Sequence, residues 1–302
     1  MPPVAVILPV YNAEATLERC IRAVLNQRGV PELRVIAIDN NSRDGSVEIL
    51  EALAASDARL TVLHEPEQGA YAARNRGVAE AGDTADLLVF TDPDCIAEPD
   101  WLERLLAPLS DPEVEVVMGR DRHAGEGLGI RLLSAYDDAK ERYTLASDDA
   151  AIYYGHTNNL ATRRTALERV GGFDRRQRGA DVLFVQRVVA TAPAGTNAVV
   201  YAPDAVVHHL EVDSARKYFR KTYLYGHSNR LYQDAVGPNG GAAVPLSNRQ
   251  RLAVFHLARR VHRIPPHQAA LLFAMLFAGV GWWYAGRFFG SRELAADAEA
   301  RT

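Results

Sequence analysis

Apolar residues near the start of the chain come in short unbroken runs that alternate with stretches of helical spacing. Residues 4–8 are continuously apolar and are closed by Pro9, the pattern of a strand buried on both faces. Leu17, Ile21, Val24 and Leu25 then recur at the period of a helix with one buried side. Residues 35–38 predict a second buried strand ending at Asp39, and 46–54 a helix with Val47, Leu50 and Ala54 on one stripe. A third strand over 60–63, a helix over 70–79 and a fourth strand over 87–90 follow, the last running into Thr91-Asp92-Pro93-Asp94. This alternation predicts an α/β domain: a mostly parallel sheet flanked by helices on both faces. Ligands of such sheets bind beyond the carboxyl ends of the strands. Tyr11, Asn12, Asp39, Asp92 and Asp94 all fall there.

The turn after the first strand reads PVYNAE and holds no glycine, and no GxxxxGK[ST] loop is present. A dinucleotide fingerprint and a P-loop are therefore excluded. A sugar-phosphate nucleotidyltransferase on a similar sheet would also place glycines in that first turn. Composition adds little: 302 residues, 48% hydrophobic and 24% charged, are ordinary globular values for one large or two modest domains. A net charge of −4 argues against a general nucleic-acid binder. Cys20 and Cys95 cannot make a disulfide framework and suit a reducing compartment. The opening MPPVAVILPVYN has no basic region ahead of its apolar run, so a signal peptide is not expected and the catalytic part is expected in the cytoplasm.

Asp92 and Asp94, two residues apart at the end of a buried strand, form an anionic corner. Carboxylates together with a substrate phosphate are what Mg²⁺ or Mn²⁺ favours. A lone acidic pair of this kind more often opens a helix or sits solvated in a turn. Here it is one of a series. VILPVYNAEATLERCIRAVLNQ, VIAIDNNSRDGS, GAYAARNRGVAEA, VFTDPDC, GHTNNLATRRTALERVGGFD and RGADVLFVQRV occur in that order. Together they resemble the family-two, inverting glycosyltransferases of the GT-A fold, a nucleotide-binding, Rossmann-like architecture. The resemblance covers roughly residues 4–187.

The resemblance implies roles residue by residue. Pro9 and Tyr11 would line the donor site, Tyr11 against the nucleobase, and Asp39 would accept a base N–H. Glu14 would help hold base or ribose, and Arg74 would contact the nucleotide. Asp92 and Asp94 would hold the metal and the donor, Asp181 would be the catalytic base, and His208, preferred over His209, would complete the metal site at a strand end. The family usually carries an acidic pair where this chain reads Gly179-Ala180-Asp181, so Asp181 stands for the second acid and Asp174 is the fallback. The implied organisation is a nucleotide-sugar-binding half over 1–120, an acceptor and catalytic-base half over 121–212, and a C-terminal extension over 213–302.

That extension is unlike the rest. Between Ser214 and His267 lie ten basic residues and a single acid, Asp234. Residues 214–229 predict a helix with Arg216, Lys217, Arg220 and Lys221 on one side and aromatics on the other, and 237–245 a Gly- and Pro-rich linker. Residues 268–286 carry no charge, and as a helix would be about 28 Å long, close to the roughly 30 Å hydrocarbon core of a bilayer. A single span, a helix in the membrane plane and packing against the body all remain open, with membrane association, at the cytoplasmic face, expected. The resemblance thus implies a metal-dependent inverting transfer from a nucleotide-sugar, a UDP-sugar by preference, and the basic, apolar tail points to a glycan or lipid-linked acceptor of the cell envelope. The alternatives are a nucleotidyltransferase and a catalytically inactive membrane-tethered nucleotide-sugar-binding protein.

Overall fold

The computed structural model describes residues 3–289, apart from 31, 176–178, 194 and 237–244. The expected linker over 237–245 falls almost wholly outside the described residues. The chain runs β1 (Val4–Val10), α1 (Leu17–Leu25), β2 (Leu33–Asp39), α2 (Ser46–Ser56), β3 (Leu60–His64), α3 (Ala70–Ala81) and β4 (Leu87–Thr91). It continues with β5 (Cys95–Ala97), α4 (Trp101–Leu106), β6 (Val116–His123), α5 (Leu128–Leu145), β7 (Asn159–Arg163), α6 (Arg164–Val170), α7 (Ala180–Thr191) and β8 (Val199–His209). Three helices close it: α8 (Ala215–Val236), α9 (Asn248–Val261) and α10 (Pro266–Phe289).

The strands form one eight-stranded sheet in the order β3-β2-β1-β4-β7-β6-β8-β5. The predicted first four strands are all present and mutually parallel. β7 is antiparallel to both β4 and β6, which brings β6 and its parallel neighbour β8 back into the direction of β4. The carboxyl ends of β1, β2, β4, β6 and β8 therefore share one edge. Pro9 is tolerated inside β1 because β4 pairs with β1 only as far as Ile7, so its missing N–H breaks no ladder on that side. The 120/121 division falls within β6, and the sheet is continuous across it.

Both sheet faces are covered. Val6, Leu8, Val35, Val89 and Val117 pack with α1, α2 and α4 on one face, while Ile7, Ile38, Phe90, Met118 and Leu160 pack with α3 and α7 on the other. A third apolar cluster joins α5 to α9 and α10 through Leu133, Val254, Phe255, Ala258, Ile264 and Leu272.

One irregularity matters for the site. β6 and β8 slip register between Gly119 and Arg120. Asn159, fully buried at the start of β7, fills the slip: its Nδ2 donates to the carbonyls of Arg120 and Ala205, and its Oδ1 accepts from Trp101 Nε1 at 2.8 Å. A Cβ on Gly119 would collide with that Asn159 amide. Beyond the slip, β6 and β8 pair again with Asp121 opposite Val207 and His123 opposite His209. A bulge of this kind bends strands and re-aims side chains next to a site.

Candidate active site

The polar groups at the shared strand edge come together in three clusters, the first two of them linked. At the end of β4, Asp92 turns toward α3, where its carboxylate accepts from the Arg74 guanidinium. Asp94 turns the other way and meets β8: its Oδ2 lies 3.1 Å from His209 Nε2. The backbone fixes this pairing, since β5 and β8 run antiparallel with Cys95 opposite His209, and Leu210 N donates to the Asp94 carbonyl. The other ring nitrogen, Nδ1, lies 3.0 Å from Asp121 Oδ2 on β6. Glu211 Oε2 is 3.6 Å from the same Nε2 and pairs with Lys221 Nζ of α8 at 2.6 Å.

Of the two adjacent histidines, the strand brings His209, and not the expected His208, to Asp94. His208 is on the opposite side of the strand, with its Nε2 3.2 Å from Glu98, because successive strand residues point to opposite faces. Alternation alone does not choose between the two histidines, since buried Val206 shares a face with His208 as buried Val207 does with His209; the register of β8 with β5 does.

The donor set fits a hard divalent ion. Asp94 and His209 converge, with Asp121 behind the imidazole in the carboxylate–histidine arrangement that fixes a ligating tautomer. Burial opposes the charge on Asp94, but the neighbouring His209 holds its carboxyl below the usual range. One buried oxygen, Asp121 Oδ1, has no hydrogen-bond partner among the described residues. Asp94, Cys95 and His209 offer ligand atoms within 4.8 Å of one another. Burial and the Asp94 and Asp92 charges push the Cys95 thiol far up, so oxygen and imidazole are the available donors there. Asp92 is outside this grouping, held by Arg74.

The second cluster surrounds Asp181 in the first turn of α7. Val182 N donates to its carboxylate, and the nearby Tyr71 hydroxyl favours the ionised form. Arg74 links the two clusters, with its guanidinium on Asp92 and 5.2 Å from the Tyr71 ring centroid. Segment 155–158 crosses tightly over α7, since a Cβ on Gly155 would press on the Asp181 carbonyl at 2.7 Å. That approach carries His156 to the site, where Nδ1 is 2.6 Å from Asn158 Oδ1 and Nε2 is 3.2 Å from Glu141. Burial disfavours charge on His156, but the Glu141 carboxylate outweighs it and the pKa is pushed up to about 9. For Asp181 burial dominates and raises the carboxyl above its usual range. Neither Tyr71, His156 nor Asp121 was singled out by the sequence, because each acts through residues far away along the chain.

The third cluster closes the ends of β1 and β2. Asp39, buried, accepts from Ser42 N through Oδ1 and faces His64 Nδ1 at 3.2 Å through Oδ2. Glu14 is tied to the second turn, accepting from Gly45 N at 2.7 Å while its own N–H donates to Asp44. Pro9 is buried in β1 and Tyr11 half-buried just beyond it. Asn40, also buried, accepts from Gly69 N and donates to the carbonyls of Glu65 and Glu67, which anchors the turn leading into α3.

Sequence comparison gives the same class. Residues 5–171 match the family described as glycosyl transferase family 2, and the chain belongs to that family. Glycosyltransferase AglE of Haloferax volcanii is 31% identical over 192 residues, 62% of this chain and 61% of that one. The pre-mycofactocin glycosyltransferase of Mycobacterium tuberculosis is 31% identical over 233 residues, 74% of this chain and 46% of that one. The chain thus spans about half to three-fifths of the length of these relatives. Among solved structures, the mannosyltransferase PcManGT from Pyrobaculum calidifontis, in complex with GDP-Man and Mn²⁺, superposes with a TM-score of 0.61 at 22% identity, covering 98% of this chain and 78% of that one. S. aureus TarS in complex with UDP-GlcNAc superposes at 0.54 and 14% identity, covering 94% of this chain and 90% of that one. The fold is the GT-A type expected.

Proposed function

We propose that the chain transfers a sugar from a nucleotide-sugar donor, a UDP-sugar by preference, to a hydroxyl of a lipid-linked or cell-envelope glycan, with inversion at the anomeric carbon. The observation that carries this reading is the convergence of Asp94 and His209 at the strand edge, backed by Asp121. PcManGT was solved with Mn²⁺ and GDP-Man and TarS with UDP-GlcNAc, which supports a divalent ion and a nucleotide-sugar here.

Asp94 and His209 would hold Mg²⁺ or Mn²⁺. When bound, the ion would supply charge neutralisation to a leaving diphosphate. Asp39 would accept a base N–H, with Tyr11, Pro9 and Glu14 shaping the base and ribose end. Arg74, already on Asp92, would present its remaining N–H groups toward the nucleotide. Asp181 would take the proton of the attacking hydroxyl, and its raised pKa makes the ionised carboxylate a better base. The apolar surface of α10 supports membrane association, and the free, buried Cys20 and Cys95 fit the reducing side, the cytoplasmic face.

A thermal-shift series tests the reading. UDP and GDP with Mn²⁺ are expected to raise the melting temperature, and neither nucleotide alone should match them. Asp94→Asn should lose the Mn²⁺-dependent part. Asp181→Asn should keep nucleotide binding and lose sugar transfer. Absence of any nucleotide effect, or full transfer by Asp94→Asn, overturns the proposal. Release of pyrophosphate from a nucleoside triphosphate and a sugar phosphate would reassign the reaction to nucleotidyl transfer.

A further inference from the structure

Among the described residues α10 is the one helix long and apolar enough to cross a membrane. Its neighbours decide how it can meet one. α10 and α8 run side by side in the same direction: Met275 and Ala215 meet at Gly129, Gly279 faces Phe219, and Gly286 lies on the Tyr223 carbonyl. Gly226 in turn lies on the Trp283 carbonyl, where a Cβ would collide. The first turns of α8 are fixed to the catalytic body by Lys221 with Glu211 and by the Tyr218 hydroxyl, which donates to Asp137 of α5.

This pairing sets charged groups level with the uncharged run. Arg216, Lys217 and Arg220 are exposed on α8 alongside the stretch from Met275 to Gly279, the middle of residues 268–286. If α10 spanned a bilayer, those cations would sit near its midplane, where charged side chains are most strongly disfavoured. The remaining face of α10 is apolar along its length: Phe273, Phe277, Trp282, Tyr284, Phe288 and Phe289 are exposed, Phe277 at 78%. Arg260 and Arg263, at the end of α9, are exposed just ahead of that face.

We infer that α10 lies flat in the interface of an anionic lipid bilayer, its outward face in the upper acyl region and α8 along its other side. Aromatic residues on one side and Arg and Lys flanking it are the chemistry of an interfacial helix facing negatively charged headgroups. The inference rests on the membrane association proposed above, and decides its mode against a span.

The test uses the full chain and vesicles of phosphatidylcholine with or without phosphatidylglycerol. The protein should float with the anionic vesicles and do so at least about tenfold less with the neutral ones or at high salt. Nitroxides on Phe273→Cys, Phe277→Cys and Phe288→Cys should report one shallow depth. In a spanning helix the first and last would differ by about 22 Å along the axis, and such a profile overturns the inference. Equal binding to neutral vesicles, or no vesicle binding with self-association by sedimentation, also overturns it, the latter assigning the face to a second copy of the chain. Phe277→Asp with Phe288→Asp should abolish flotation yet leave the Mn²⁺-dependent nucleotide shift unchanged, which separates this inference from the donor-site reading.

Discussion

At the scale of single residues, Arg74 and Asp181, on helices, were read only through the family resemblance. Asp39, Asp92 and Asp94 were read locally, Asp39 ending β2 and the other two within three residues of the end of β4. His209 was not, because strand alternation presents two adjacent histidines and only the register with β5 says which faces Asp94. Asp121 behind it is placed by a different register, that of β6 with β8 beyond the slip. Asp121→Asn replaces a pure acceptor with a group that can donate to Nδ1, which favours the wrong tautomer of His209. Mn²⁺ affinity, followed by electron paramagnetic resonance of the free ion, should fall roughly 10- to 100-fold with the fold unchanged. An unaltered affinity would show that Asp121 has only a packing role. Tyr71 gives a second prediction at this scale. As the proposed base, Asp181 must be ionised to accept a proton, so the rate should rise as pH passes upward through its pKa, which burial already raises. The nearby Tyr71 hydroxyl favours the ionised form and opposes that rise. Tyr71→Phe should therefore move the acid limb of kcat/KM to higher pH while nucleotide binding stays constant. A limb that stays in place or moves down contradicts the assignment.

At the scale of elements, the strands predicted over the first ninety or so residues are present with ends extended by a residue or two. Their runs are continuous because both sheet faces are covered, and such a pattern is visible without any partner. The second half of the sheet was less legible. β6 mixes four buried positions with Arg120, Asp121 and Arg122, and β8 bends around Pro203, so neither shows a clean run. What makes them strands is tertiary: Asn159 pins both where their register slips. Asn159→Ala would leave two carbonyls and the Trp101 N–H unpaired in a fully buried position, each worth about 1 to 3 kcal/mol. Stability by urea titration should fall by roughly 3 kcal/mol or more, and Mn²⁺ affinity should fall with it, since the same slip aims Asp121 and His209. Loss of stability with intact metal binding would mean that the bulge supports the sheet but not the site.

At the scale of the whole molecule, the basic and apolar composition of the C-terminal third was visible in the sequence, whereas its attachment was not. Beside the apolar cluster of α5, α9 and α10, one carboxylate ties these parts together. Asp138 on α5 has a fully buried side chain that accepts from the Tyr201 hydroxyl of β8 at 2.7 Å and from Arg142 Nε at 2.9 Å. Arg120 of β6 approaches it at 3.4 Å, and His262, between α9 and α10, lies 2.7 Å away. Sheet, α5 and the C-terminal helices therefore meet at a single charge. Burial opposes that charge, but its partners hold the Asp138 carboxyl well below the usual range. Its contribution is therefore present above the unfolded-chain carboxyl pKa and is lost as pH falls toward the folded one. Asp138→Ala leaves these donors facing one another, at a cost of roughly 3 kcal/mol, the low end for broken buried pairs because the cations are partly exposed. The deficit should shrink as pH drops below the carboxylate range, where the wild-type group itself protonates. The probe distinguishes local from global loss: Trp101 reports the sheet, and Trp282 and Trp283 report α10. In the wild type their urea transitions should coincide. In Asp138→Ala the α10 signal should change at lower urea than Trp101, because the shared charge that makes the two regions one cooperative unit is gone. Coincident transitions in the variant would show that the apolar cluster of α5, α9 and α10 joins them by itself.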